Sequence, residues 1–216
     1  MSGTHGDAHF DAAFRERLGD LLAWRRDVRR FRLEPLPEGM LDRLLGLACL
    51  APSVGLSQPW RFVIVDDPAR RRDVRENFLA CNAEALGDYR GERAKLYATL
   101  KLAGLDEAPV HLAVFADRGT AQGQGLGRRT MPAMVDYSVV TAIHTLWLAA
   151  RAEDIGVGWV SILDPQRIGD VLAVPAAWSL VAYLCVGYPQ ADTLTPELER
   201  VGWEHRRAPE AFVIRR

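Results

Sequence analysis

Between Asp136 and Ala152 the chain carries Val139, Val140, Ile143, Leu146, Trp147 and Ala150, which cover much of the circumference of a helix. A helix apolar on most sides must be enclosed, so the remaining elements have to build layers around it. The same stretch is no membrane span: its apolar run is interrupted by His144 and bounded by Asp136 and Arg151. His144 has no second ligand at helical spacing and reads as a core or interface residue rather than a metal ligand.

The elements around this helix follow from spacing and turn chemistry. Phe10, Ala13, Phe14, Leu18, Leu21 and Leu22 recur at helical intervals. Pro35 and Pro37 break that helix, and Pro37 suits the first position of the next, whose stripe is Met40, Leu41, Leu44, Leu45 and Ala48. Ala51 to Trp60 is a turn-rich loop, Arg61 to Val65 a strand, and Asp66-Asp67-Pro68 opens a third helix. Arg70 to Leu105 is helical but irregular, punctuated by Gly87, Gly91 and Gly104. It reads either as a lid, centred on residues 82–105, or as two fixed surface helices. Val110 to Phe115 is a strand. Ile155-Gly156-Val157-Gly158-Trp159-Val160 leads glycines into another, which suits either a close backbone approach or a plain helix stop. Asp164-Pro165 starts a short helix to Leu172, and Trp178 to Val186 is the last core strand. Gly123-x-Gly125-x-Gly127 is not a dinucleotide fingerprint, because position 128 is arginine and no strand–turn–helix unit surrounds it. The expected fold is a single α/β (α+β) domain over residues 1–216. It has a central mixed sheet of four to five short strands, a disordered start at 1–9 and a C-terminal arm at 190–216.

Arg25-Arg26-Asp27-Val28-Arg29-Arg30-Phe31-Arg32 holds five arginines in eight residues, while the whole chain has a net charge of −1. The cluster is therefore local, which argues against nucleic acid as partner. It is either a phosphate clamp or a solvated basic face. Asp27 within it should stay ionised and be a plausible base. Three scattered cysteines make neither a disulfide framework nor a zinc site, and fit a reducing cytoplasm.

Three segments together resemble the flavin-binding nitroreductase-like family. They are Arg25-Arg26-Asp27-Val28-Arg29, the loop Pro52-Ser53-…-Gln58-Pro59-Trp60, and Gly156-Val157-Gly158-Trp159-Val160-Ser161. Asp27, Leu146 to Ala152, Pro196-Glu197-Leu198 and Gly202-Trp203 resemble its flavin-destroying branch in particular; many other members have serine in the Asp27 place. The resemblance implies that reduced FMN is substrate, not recycled cofactor, and is fragmented with dioxygen to 5,6-dimethylbenzimidazole and erythrose 4-phosphate, with no metal. It implies flavin contacts at Arg25, Arg26, Asp27, Val28, Arg29, Pro52, Ser53, Gln58, Gly158, Trp159, Val160, Ser161 and Arg206. Of these, Asp27 and Ser161 are catalytic. It also implies a homodimer with exchanged arms, a separate flavin reductase that supplies the substrate, and no membrane. The alternatives are an NAD(P)H-dependent FMN nitroreductase or flavin reductase, and a non-catalytic flavin carrier or sensor.

Overall fold

In the computed structural model, which describes residues 10–99 and 103–216, helices pack on both faces of a four-stranded sheet. Helix α1 is Ala12–Trp24 and α2 is Met40–Ala48; strand β1 is Trp60–Ile64. Helices α3 (Pro68–Leu86), α4 (Gly91–Thr99) and α5 (Gly104–Glu107) precede β2 (Val110–Asp117). Helix α6 (Met134–Ala152), β3 (Gly156–Val160), α7 (Pro165–Leu172), β4 (Trp178–Gly187) and α8 (Glu197–Arg200) complete the order. Local chemistry sets several boundaries. Asp67 and Asp164 cap α3 and α7 through their side chains, each followed by a proline that needs no N–H partner. Pro37 lies in the turn before α2 rather than at its first position, since the Met40 N–H closes that turn on Pro37 O.

The sheet order is β1-β2-β4-β3, and every neighbouring pair is antiparallel. The expected mixed sheet is corrected here. Strands β2 and β3 do run parallel, as a helical crossover through α6 demands, but β4 inserts between them and is antiparallel to both. Among the described residues the parallel pairing is the isolated bridge Asp27–Val157 on the outer edge of β3.

Strand β2 is buried on both faces, which is why its sequence is continuously apolar. Leu112, Val114 and Ala116 pack toward α2 and α6, while Ala113 and Phe115 pack toward Ile168 and Leu172 of α7 and Val74 of α3. Helix α6 buries Val135, Val139, Ala142, Ile143, Leu146 and Ala150 along one face. Its other face is less enclosed than the sequence suggests: Tyr137, Val140 and His144 are exposed, so His144 is no core residue. Along α1, Phe14, Leu18 and Leu22 are exposed as well. The disordered start expected at 1–9 lies outside the described residues, as do residues 100–102 of the lid segment. Phe212, Val213 and Ile214 are exposed and outside any strand of this chain.

Candidate active site

The arginine segment is laid along the free edge of β3. The Val28 N–H donates to Val157 O at 3.0 Å, and the Trp159 N–H donates to Asp27 Oδ1 at 2.8 Å. The side chain of Asp27 thus takes the place of a backbone carbonyl in the ladder. Two glycines make the approach possible. A Cβ on Gly158 would lie 2.1 Å from Val28 O, and one on Gly156 would lie 2.6 Å from Val28 Cγ2. Of the two readings of these glycines, close backbone approach is the correct one, and the approaching group is the chain itself. Further along, Phe31 is fully buried and its N–H donates to Glu107 Oε2 at 2.9 Å, while the Arg32 N–H donates to Tyr188 O.

The arginines have different tasks. The guanidinium of Arg26 donates to the carbonyls of Leu194, Ala23 and Arg25, so it staples the chain. Arg25 lies over the Trp147 ring, 4.9 Å from its centroid. Arg29, with 13% of its side chain exposed, pairs loosely with Asp27 at 3.7 Å. Arg206, far away in sequence, sits near enough to repel both Arg25 and Arg26. Burial first, and Arg206 next, lower the guanidinium of Arg25 from its ordinary value. Neither Arg25 nor Arg206 has a carboxylate within ion-pair distance among the described residues. Two such cations held together are what an anion such as phosphate would relieve.

The environment of Asp27 holds more than the neighbouring arginines. Its neighbours do favour the charged form, through the Trp159 N–H, Arg29 and Arg25. Burial outweighs them and raises the carboxyl above its ordinary value, with Glu197 adding to the rise. The side chain keeps 38% exposure, so water screens part of this effect and only its direction bears on the chemistry. A raised carboxyl is a stronger base than a solvated one, which favours proton abstraction more than the expected state would.

Ser161 is exposed, one residue beyond the end of β3 and two beyond the N–H that holds Asp27. Because N–H groups alternate along a strand, β3 offers its outer edge toward Ser161 where the arginine segment no longer covers it. A cavity of about 160 Å³ lies beside Asp27, walled by Arg29, Trp147, Arg151 and Glu197. That is below the roughly 300–1,000 Å³ of pockets that enclose a whole drug-sized ligand. A flavin would have to extend beyond it across open surface.

Pro52, Ser53 and Gln58 are not brought to Asp27. Their loop is tied to the N-terminal half of α6, where Ser138 Oγ accepts from the Val54 N–H and Thr141 Oγ1 donates to Pro52 O. Ser53 Oγ accepts from the Gln58 N–H, and Gln58 Oε1 accepts from Gln122. Ser138 and Trp147 are nine residues apart on α6, about 14 Å along the axis. Within one chain the loop and the arginines form two half-sites.

Sequence reasoning missed two contributors. Trp147 stood in a family-like stretch with no role, yet its Nε1–H donates to Arg26 O at 3.0 Å. Trp203 meets Tyr89 at 5.5 Å and Tyr97 at 6.3 Å, with Arg93 over its ring. Trp203 and Arg206 are three positions apart, a reach of at most about 10 Å, so α4 stands near the arginine cluster. The aromatic residues of 89–97 were the available signal. Among the described residues no group of three or more His, Cys, Asp or Glu could hold a metal ion, and no helix is long and apolar enough to cross a membrane.

Known proteins resemble this chain in sequence and in fold. The model of the nitroreductase family matches residues 22–188. A 5,6-dimethylbenzimidazole synthase of Rhodospirillum rubrum is 59% identical over 92% of this chain and 94% of its own length. One of Rhodobacter capsulatus is 50% identical over 91% and 95%. Among solved structures, oxidized iodotyrosine deiodinase bound to FMN and 3-iodo-L-tyrosine superposes with a TM-score of 0.69 at 28% identity, over 82% of this chain and 91% of that one. A nitroreductase-like protein of Streptococcus mutans shares the fold at a TM-score of 0.71 and 17% identity, over 93% and 98%. The sheet with helices on both faces, the arginine segment on the edge of β3 and these matches lead to one assignment: the chain belongs to the nitroreductase family.

Proposed function

We propose that this chain fragments reduced FMN with dioxygen to 5,6-dimethylbenzimidazole and erythrose 4-phosphate. The observation that carries the reading is a carboxylate, Asp27, built into the edge of β3 beside Arg25 and Arg206, neither of which has a carboxylate within ion-pair distance among the described residues. The relatives named as synthases of that base, similar over nearly their whole length, support the same reading. Arg25 and Arg206 hold the flavin phosphate, with Arg29 behind them. This places the ribityl chain near Asp27, which removes a hydroxyl proton. Ser161 orients the reacting group or passes a proton by its hydroxyl. Backbone groups from Gly158 to Ser161 and the side chains of Ser53 and Gln58 bind the ring. When bound, reduced flavin supplies the electrons for dioxygen, and no metal takes part.

The two half-sites and the exposed apolar faces of α1 and α6 support a homodimer in which the partner completes the flavin site. The tail beyond Arg206 crosses to the partner, with Phe212, Val213 and Ile214 as its apolar end. Helix α4 acts as the lid. A separate reductase supplies reduced flavin.

The test is to incubate purified protein with chemically reduced FMN in air and measure 5,6-dimethylbenzimidazole. Product from FMN, and none from NADH plus a catalytic trace of flavin, is expected. Rapid NADH oxidation on bound flavin without that product would identify a conventional reductase instead.

A further inference from the structure

Asp27 can serve as a base only if its side chain is aimed, and the structure shows what aims it. The peptide planes on either side of its Cα are both anchored. The plane after it is fixed by the Val28 N–H on Val157 O. The plane before it carries the Arg26 carbonyl, which accepts from Trp147 Nε1–H at 3.0 Å. A peptide unit is rigid, so holding that carbonyl sets the direction in which the chain enters Asp27. With both planes held, only the side-chain torsions of Asp27 stay free, and the Trp159 N–H takes up one oxygen. The same indole lies under Arg25, with the guanidinium 4.9 Å from the ring centroid. Trp147 is half-buried on α6 and leans on Trp159 at 6.3 Å, so it is itself held from two elements.

We propose that Trp147 is a positioning residue with two separable effects: its N–H sets the geometry of the Asp27 base, and its ring holds the charge of Arg25 where the substrate phosphate binds. The inference rests on the fragmentation reading for its first half only.

Two variants of the full-length protein separate the halves. Trp147→Phe keeps an aromatic face and removes the N–H donor. Trp147→Leu removes both. Binding is read with oxidised FMN and with riboflavin by flavin fluorescence, and turnover with saturating reduced FMN in air. In Trp147→Phe the FMN-to-riboflavin affinity ratio should stay within about threefold of wild type, because the cation keeps a ring. Its product formation at saturation should fall by about tenfold, the effect of one hydrogen bond. Trp147→Leu should lose a further two- to fivefold of the affinity ratio, on the order expected for one cation–ring contact. Wild-type turnover in Trp147→Phe, or an unchanged affinity ratio in Trp147→Leu, would overturn the proposal. So would an equal loss of affinity for both flavins with a lowered melting temperature, which marks a packing residue. If wild type itself forms no 5,6-dimethylbenzimidazole, the fragmentation reading fails. The affinity ratio in Trp147→Leu then still decides the assignment to Arg25.

Discussion

Two regions meet at the arginine cluster, and they are held in different ways. The seam between residues 26–29 and β3 is made of a backbone hydrogen bond, one carboxylate in a ladder position and two glycines with no room for a side chain. The strap of residues 197–206 reaches the same cluster through Arg206, and it meets Tyr89 and helix α4 through the Trp203 ring, which lies against Tyr89 and Tyr97 with Arg93 over it. A seam of this kind has one geometry or none. A strap held by ring contacts, each worth about 0.5–1.5 kcal/mol, can let go and return. That contrast suits a fixed base beneath a cover that opens for substrate.

The seam is most sensitive at Gly158. A Cβ there would meet Val28 O at 2.1 Å, and backbone cannot step aside as a side-chain tip can. Gly158→Ala should therefore open the seam. A stability loss of about 3 kcal/mol or more is expected by urea denaturation. The mutation should lower product formation by about 10²-fold or more, since the base is displaced. A stable, active variant would mean that the seam is softer than its contacts imply.

Acid should separate the two regions next. Beneath the seam, His111 Nδ1 lies 2.9 Å from Tyr183 Oη in the sheet core, and burial, with Arg71 adding, pushes His111 down to about 4. A folded value below the unfolded one of 6.5 means stability that is full above 6.5 and lost as pH falls through 4. The loss is at most about 3 kcal/mol. The melting temperature should fall over that window in wild type and more shallowly in His111→Gln. Equal slopes would show that His111 does not govern acid stability.

The strap should yield the smallest change. Trp203→Leu is expected to lower global stability by only about 1 kcal/mol, yet speed hydrogen exchange in α4, Gly91–Thr99, by about fivefold. Flavin should slow exchange there in wild type and less so in the variant. Slow, flavin-independent exchange in both would make α4 a fixed layer.

How much of this could be read in the sequence follows the same division. Element order was legible because periodicity and caps are local: Asp164-Pro165 and Asp67-Pro68 start their helices as expected. Pairing direction was not, because nothing local in Trp178 to Gly187 says that it inserts between β2 and β3. Asp27 and the two glycines were visible as residue types. That Val28, rather than a ligand, fills the space over Gly158 is a long-range fact. The upward shift of the Asp27 carboxyl was not legible from its neighbours in sequence, since burial in the fold and Glu197, far along the chain, produce it. Trp147 and Trp203 were legible only as aromatic residues, because their partners come from distant segments.

Whether Asp27 is the base or a brace for the arginines is decided in Asp27→Asn. Asparagine keeps the acceptor for the Trp159 N–H but removes charge and basicity. Burial raises the folded carboxyl, so its contribution to stability is full at low pH and lost as pH rises through the folded value. The variant should therefore melt no lower than wild type at neutral pH. Flavin affinity and 5,6-dimethylbenzimidazole formation are then measured in the same preparation, saturated with reduced FMN in air. Retained affinity and a fall in product of about two to four orders of magnitude are expected if Asp27 is the base. Near-wild-type product from the saturated variant, or a loss of affinity as large as the loss of product, would contradict that role.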